Sequence, residues 1–333
     1  MFKGFVSISV LALCLIACSK SSSQNQPLFI YTTMDEPIVR QIVTAYEKET
    51  SEKVEFVRLS TGEAAARIET EKSNPQASLW LGGVGLSHVQ IKQKALSLPY
   101  QHKSWERIPA ALKDKDAYWS GLYMGVLSFA SNSKQLKKLG LQKPTSWQDL
   151  LDKKLEGQVQ ISNPGSSGTS YNLMAALIAQ DGEADAFDYF KKLNHNISQY
   201  TRSGSAPAKN VAIGEATIAV GYAHDIVRLI HDDKAPLELS FPKEGTGYEI
   251  ASISLIKGGK QLEKAKKLYD WMYSPSASQV LADYYFVPII LDGVQLKADS
   301  INPQDIKLID VNLEWAGKER DRLINIWNEK ING

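Results

Sequence analysis

The alternation of predicted strands and helices constrains the fold of this chain most strongly, and it begins at Leu28. Residues 28–31 form a short apolar run bounded by polar residues, which is typical of a buried strand. From Ile38 to Tyr46 the apolar residues repeat with helical spacing, and Pro37 stands in the predicted first turn. The pattern continues with strand 54–57, helix 62–72 and strand 78–81. Strands that alternate with helices predict a parallel sheet with right-handed crossovers.

Three loops follow these strands, at residues 32–34, 60–62 and 82–85. In open sheets of this type, ligands bind beyond the carboxyl ends of the strands. We therefore expect the hydroxyls of Thr32 and Thr33 to donate hydrogen bonds to a solute. A short turn before a helix capped by Asp35 is the alternative interpretation.

The pattern changes near Tyr118, where residues 118–131 are extended in character and punctuated by glycine. A second series of strands and helices follows, and residues 248–256 predict a return strand. The sequence thus predicts an α/β fold of two lobes joined by two hinge crossings around a ligand cleft. Two α/β domains without a hinge function remain the alternative. The predicted bounds are 28–124 plus 250–300 for one lobe, 125–249 for the other, and 301–333 for a C-terminal helical segment.

The first residues have the anatomy of an export signal. One positive charge, Lys3, precedes the apolar run Val6–Ile16, and Leu15-Ile16-Ala17-Cys18 matches a bacterial lipobox. The run is too short to span a bilayer comfortably, which favours a cleaved lipoprotein signal at residues 1–17. Cys18 would then carry the lipid, and residues 18–27 would tether the protein to the cell envelope. An ordinary signal peptide with an incidental Cys18 is the alternative.

Charge and cysteine content narrow the function further. Removal of residues 1–17 takes one of the 38 basic residues, Lys3, and leaves 37 against 37 acidic residues. A net charge of zero argues against nucleic-acid binding. The other cysteine, Cys14, lies inside the predicted signal, so the exported protein has no intramolecular disulfide and depends on its apolar cores.

No catalytic or cofactor motif is present in the sequence. The five histidines are scattered without zinc spacing, and Gly82-Gly83-Val84-Gly85 lacks the Lys-Ser/Thr of a phosphate-binding P-loop. No serine stands in a nucleophile elbow. These absences predict a protein that is not an enzyme and holds no cofactor. An exported esterase or phosphatase and a structural surface lipoprotein remain as alternatives.

Four stretches resemble a known family, and they are residues 144–150, 166–172, 214–225 and 242–249. From Leu28 to about Pro288, the chain resembles the ferric-iron, phosphonate and hexose-phosphate branch of the periplasmic binding proteins. The resemblance implies the type II fold of these proteins, in which two lobes enclose a cleft. It also implies no catalysis, and delivery of a captured solute to the permease and ATPase of an ABC importer. We expect the binding protein itself to be a monomer.

The hydroxyl-rich stretch Ser166-Ser167-Gly168-Thr169-Ser170 is a candidate anion site. It follows a predicted strand and opens a helix. Backbone N–H groups at a helix start are unpaired and lie at the positive end of the helix dipole. Phosphate or carboxylate is thus expected to bind Ser167, Gly168 and Thr169, with Ser166 a weaker candidate. A plain helix cap is the alternative.

The polar loop containing Arg202 and Ser203 could supply a further charged donor to the same anion. Such a loop is equally compatible with solvated surface.

Tyr222, His224 and Asp225 stand where a strand ends and a helix begins. His224 is expected to pair with an anion and to titrate near neutrality, and Asp225 to accept hydrogen bonds from hydroxyls. Alternatively, Asp225 caps the helix and His224 lies on the surface. Glu244 and Glu249 flank a glycine turn, and a carboxylate repels a bound phosphate. Their presence predicts a solute whose second end carries hydroxyls or an amine, unless both glutamates are solvated.

Iron is the alternative ligand. Ferric members of the branch use two adjacent tyrosines near the end of the strand that corresponds to residues 216–222. This chain has the single Tyr222 there. Its adjacent tyrosine pair, Tyr284-Tyr285, is predicted to lie at the end of a helix and to pack in the core. The departure favours a phosphorylated sugar, a phosphonate or a similar anion over Fe³⁺. An unusual iron site made of Tyr222, His224, Asp225 and Glu244 stays open.

Overall fold

The computed structural model describes residues 26–331. The predicted signal, Cys18 and most of the predicted tether lie outside these residues. The strands are β1 (Leu28–Thr32), β2 (Val54–Arg58), β3 (Leu79–Val84), β4 (Ser97–Leu98), β5 (Ser120–Asn132), β6 (Val159–Ser162), β7 (Ile197–Thr201), β8 (Ile218–Tyr222), β9 (Leu237–Ser240), β10 (Tyr248–Ile256) and β11 (Val287–Pro288). The helices are α1 (Glu36–Thr50), α2 (Thr61–Thr70), α3 (Gly85–Gln93), α4 (Ser133–Leu139), α5 (Gly168–Asp181), α6 (Glu183–Asn194), α7 (Ala206–Ile213), α8 (Ala223–His231), α9 (Leu262–Trp271), α10 (Pro275–Asp283) and α11 (Leu313–Lys330).

The strands form a mixed sheet in the order β2-β1-β3-β10-β5-β8-β6-β7. The predicted parallel pairing is present on both sides, because β1 runs parallel to β2 and β3, and β6 runs parallel to β7 and β8. The two central strands β5 and β10 are antiparallel to each other. We call the part built on β1, β2, β3 and most of β10 lobe 1, and the part built on β6–β9 lobe 2.

The strand β5 joins the two lobes. Its first half, up to Val126, pairs with β10, and its second half, from Leu127, pairs with β8 and β9. The strand thus passes from one sheet to the other without a loop, as the extended residues 118–131 predicted. The return strand predicted at residues 248–256 is present as β10, which follows lobe 2 in the chain and pairs with β3, β4 and the first half of β5.

Each lobe has its own apolar core, which accounts for stability without disulfides. In lobe 1, Ile30, Ile42 and Tyr46 are completely buried between β1 and α1. In lobe 2, Phe129 and Phe187 are buried to a similar extent. Aromatic side chains of this size contribute a large part of the apolar area that folding removes from water.

The C-terminal helix α11 contacts both lobes. Gly317 lies against Val89 of α3 so closely that an added Cβ would stand 2.6 Å from a Val89 methyl. Further along the helix, the Trp327 ring contacts Phe190 at 5.1 Å and Tyr200 at 5.7 Å in lobe 2. The predicted helical segment 301–333 becomes an α-helix only at Leu313. The reason is local, since Asn312 caps the helix by accepting from the Trp315 N–H.

One predicted loop is part of a strand. Gly82 and Gly83 continue β3 at φ values of +80° and +92°, and α3 starts at Gly85. Only glycine adopts such values without steric cost, so the strand bends there and delivers the next helix directly. Within residues 26–331, none of the helices is both long and apolar enough to cross a membrane.

Candidate ligand-binding cleft

Six helices begin at the junction of the two lobes. The carboxyl ends of parallel strands meet at one edge of each sheet, and the helix after each strand starts at that edge. In lobe 1 these helices are α1, α2 and α3, and in lobe 2 they are α5, α7 and α8. Between them lies a cavity of about 70 Å³. It is lined by Thr33, Met34, Asp35, Ile38, Arg58, Ser60, Thr61, Gly83, Val84, Tyr123, Ser167, Thr169, Gly204, Ser205, Tyr222, His224, Asp225, Glu249 and Phe286.

The starts of α2 and α5 face each other across one end of this cavity. A Cβ added to Gly168 would lie 2.9 Å from the Thr61 hydroxyl, and one added to Gly62 would lie 2.3 Å from the Gly165 carbonyl oxygen, so the two helix starts are in close contact. Ser167 caps α5 by accepting from the Thr169 N–H at 3.3 Å, and both side chains are buried at the cavity. Free N–H groups and hydroxyls at two helix starts, with Arg58 beside them, provide donors and positive potential for an anion.

The other end of the cavity carries carboxyl groups among aromatic rings. Burial raises the pKa of Asp225 to about 7, and the Asp35 charge adds to this rise. Burial also raises the pKa of Glu249 to about 8, with a further contribution from Asp225. Each carboxyl group can therefore donate or accept a hydrogen bond near neutral pH. Groups of this kind suit hydroxyls or an ammonium group.

The structure contradicts the expectation that His224 titrates near neutrality. Its ring lies 4.2 Å from the Phe286 ring, and the Tyr123 and Tyr222 rings are also adjacent. Burial among these groups lowers the pKa of His224 to about 3. The imidazole is thus neutral at physiological pH and offers one donor and one acceptor instead of a positive charge.

Asp35 connects the lobes instead of capping α1. The helix starts directly after it, but its side chain makes no cap hydrogen bond. The carboxylate accepts from Lys209 Nζ at 2.5 Å and from Ser205 Oγ at 3.0 Å in lobe 2, and from Arg58 Nη2 at 3.2 Å. Burial alone would raise the pKa of Asp35, but the Lys209 and Arg58 charges bring it below its ordinary value.

Further contacts close the seam between the lobes. The Gly62 N–H donates to the Ser166 carbonyl at 2.8 Å, Arg58 Nη2 donates to Ser203 Oγ at 2.9 Å, and Arg202 pairs with Glu63. The structure therefore represents a closed arrangement. The predicted site residues Ser166, Arg202 and Ser203 lie at this seam and do not line the cavity.

Three other predicted site residues are also absent from the cavity lining, and they are Gly168, Thr32 and Glu244. Gly168 opens α5 between the lining residues Ser167 and Thr169. Thr32 is completely buried, and its hydroxyl accepts from the Met34 N–H at 3.3 Å, so it shapes the loop that carries Thr33. Glu244 accepts a hydrogen bond from Ser146 and lines a separate surface depression on lobe 2. The four donors of the alternative iron site are therefore not brought together, because Glu244 precedes β10 and turns away from the cleft.

Several cavity residues were not identified from the sequence. Arg58 ends β2, so the rule that ligands bind at strand ends could have found it. Tyr123 lies within β5 and Phe286 follows α10, and neither position carries a local signal. Their place in the cavity depends on the crossing of β5 between the lobes.

Comparison with known proteins agrees with this geometry. A family model described as bacterial extracellular solute-binding protein matches residues 87–312. A solved structure of the periplasmic binding protein AfuA from Actinobacillus pleuropneumoniae, with exogenous fructose-6-phosphate bound, is 37% identical and has a TM-score of 0.87. The match covers 92% of this chain and 98% of that one.

Two curated relatives extend the comparison. An uncharacterised protein of Haemophilus influenzae is 36% identical, over 98% of this chain and 96% of the relative. A putative 2-aminoethylphosphonate-binding periplasmic protein of Salmonella typhimurium is 28% identical, over 78% of this chain and 74% of the relative.

Proposed function

The chain belongs to the bacterial extracellular solute-binding proteins, and we propose that it captures a small phosphorylated solute for an ABC importer. The lobes close on the solute, and the closed protein presents it to the permease, whose transport is driven by the ATPase subunits. The observation that carries this proposal is the convergence of six helix starts on one polar cavity between the lobes. Such a cavity binds an anion through backbone N–H groups and hydroxyls, without a lysine in contact.

The two ends of the cavity favour a solute with two chemical ends. Ser167, Thr169 and Arg58 suit a phosphate or phosphonate group, and Asp225 and Glu249 suit hydroxyls or an amine. A hexose phosphate carries a phosphate and several hydroxyls, and an aminophosphonate carries a phosphonate and an amine. AfuA with fructose-6-phosphate and the Salmonella relative named for 2-aminoethylphosphonate provide one example of each. Ligand contacts by these residues are part of the proposal.

Iron is the less favoured cargo. Fe³⁺ prefers several anionic oxygen ligands. The described residues place Tyr222 and Asp225 at the cavity, but Glu244 lies elsewhere, and the pKa of Tyr222 is raised by burial, which disfavours a phenolate.

We further propose that the protein binds its solute without altering it and works as a monomer. It would face the periplasm or the outer side of the membrane, held by a lipid on Cys18 after cleavage of residues 1–17. The hinge would lie where the predicted lobe bounds meet, near residues 124 and 250, and the passage of β5 from one sheet to the other between Val126 and Leu127 supports this position.

The proposal is tested by titration calorimetry of the protein lacking residues 1–17. The probes are fructose 6-phosphate, 2-aminoethylphosphonate, unphosphorylated fructose and ferric citrate. We expect saturable binding of at least one of the first two, and no binding of fructose or of iron. Ligand binding should also raise the melting temperature, since any ligand of the native state stabilises it. Binding of iron alone, or turnover of the phosphorylated probe, would contradict the proposal.

A further inference from the structure

The buried Arg320 lies directly behind the start of α5. It comes from α11 and is 7% exposed. Its Nη2 donates to the Gly165 carbonyl at 2.9 Å and to the Pro164 carbonyl at 3.4 Å. These two residues begin the loop that leads to the Ser167 cap of α5. The guanidinium thus holds the carbonyl side of this loop away from the cavity.

The same guanidinium also contacts lobe 1. A Cβ added to Gly62, in the first turn of α2, would lie 2.8 Å from Arg320 Nη2 and 2.3 Å from the Gly165 carbonyl oxygen. Gly62 itself donates to the Ser166 carbonyl across the seam. Arg320 therefore lies against the two helix starts that face the anion end of the cavity, α2 and α5.

The Arg320 guanidinium is in contact with no carboxylate, although the charge of the neighbouring Asp321 acts on it from a longer distance. Among residues 26–331, no Asp or Glu oxygen lies within 4 Å of its guanidinium, and Nε makes no hydrogen bond. Its close contacts are carbonyls and the Tyr171 ring, whose centroid lies 5.2 Å from Cζ. A buried cation without an anion is costly. An anion bound at the nearby helix starts would offset that cost.

We propose that Arg320 is a positioning residue for the anion site: it fixes the loop before α5 and places a positive charge, held in no ion pair, behind the two helix starts. It does not touch the solute, and it acts through the loop from Pro164 to Ser167. This inference rests on the proposed function, since it requires an anionic ligand in the cleft. It also explains why α11 contacts both lobes, because the helix brings this charge to the seam.

The test compares three variants by titration calorimetry with fructose 6-phosphate and 2-aminoethylphosphonate. Arg320→Gln keeps a donor for the Gly165 carbonyl but removes the charge. Arg320→Lys keeps the charge but loses the planar guanidinium, whose N–H groups can donate to two carbonyls. Arg322→Gln is the matched control, since Arg322 lies on the same helix but is exposed and pairs with Glu183. We expect affinity about tenfold weaker for Arg320→Gln, a smaller loss for Arg320→Lys, and no change for Arg322→Gln.

The affinities and melting temperatures of the two Arg320 variants distinguish the proposal from a purely structural role. A structural arginine would lower the melting temperature in both Arg320 variants and leave the affinity of the folded protein unchanged, which would overturn the inference. If Arg320→Gln does not fold, Arg320→Lys decides: an unchanged affinity overturns the inference, and a measurable loss of less than about tenfold supports it. If the wild type binds neither probe, the proposed function fails with it. If the wild type binds and Arg320→Gln binds equally well, only the inference fails.

Discussion

A single methyl group added at Gly168 should prevent the two lobes from closing completely. Gly168 opens α5 in lobe 2, and an added Cβ would stand 2.7 Å from Val84 Cγ2 and 2.9 Å from Thr61 Oγ1, both in lobe 1. Both neighbours are buried and have little freedom to move. Alanine is a better helix former than glycine, so the substitution Gly168→Ala leaves each lobe able to fold. The clash exists only when the lobes are closed.

The size of the effect follows from these distances. Ordinary van der Waals contact begins at 3.4 Å, so the Val84 methyl must move by about 0.7 Å from its 2.7 Å position. The same displacement would stretch the hydrogen bond from the Gly62 N–H to the Ser166 carbonyl, now 2.8 Å, to about 3.5 Å. Overpacking of this kind costs about 1–3 kcal/mol. The affinity for the solute should therefore fall by about 5- to 150-fold.

Calorimetry with fructose 6-phosphate measures the affinity, and small-angle X-ray scattering measures compaction on binding. The matched control is Gly221→Ala, also in lobe 2, where an added Cβ meets nothing closer than 3.9 Å. We expect weak binding and reduced compaction for Gly168→Ala, with an unchanged melting temperature without ligand. The control should behave like the wild type. Wild-type affinity and compaction in Gly168→Ala would refute the closed geometry described here.

Three other substitutions test separate parts of the account. Thr169→Val removes a hydroxyl from the anion end and should weaken fructose 6-phosphate binding by about 5- to 10-fold in calorimetry, with an unchanged melting temperature. Burial raises the folded-state pKa values of Asp225 and Glu249 to about 7 and 8, so the folded protein binds more protons than the unfolded chain. In the closed protein, measured with saturating fructose 6-phosphate, stability should hence fall from pH 6.5 to 8, and Asp225→Asn should reduce this fall in thermal melts, whereas an equal fall would contradict the buried carboxyl. Trp327→Ala should cost about 3–5 kcal/mol in urea unfolding, because its ring is fully buried against lobe 2, and a loss under 1 kcal/mol would contradict that packing.

The sequence predicted the architecture because local patterns determine it. Apolar runs such as residues 28–31 and 54–57 became β1 and β2, and the glycine-punctuated stretch near Tyr118 became the crossing strand β5. The hydroxyl-rich stretch from Ser166 to Ser170 opens a helix as expected. These features depend on short-range spacing and on the rule that strand ends meet at one edge.

Contacts between distant parts of the chain could not be predicted in the same way. Asp35 was expected to cap a helix, but its partners Ser205 and Lys209 lie 170 and 174 positions away. Glu244 and Glu249 flank the same turn, yet only Glu249, within β10, faces the cavity. The pKa of His224 depends on aromatic rings from other elements. Side-chain direction and burial in these cases are set by how the lobes meet.

Closure of the two lobes around a phosphorylated solute would be visible in a crystal structure of the protein grown with fructose 6-phosphate. We expect closed lobes, with phosphate oxygens within hydrogen-bond distance of backbone N–H groups at the start of α5. The sugar hydroxyls should lie at Asp225 and Glu249. Phosphate bound outside this cavity, or bound to lobes that remain apart, would contradict the account.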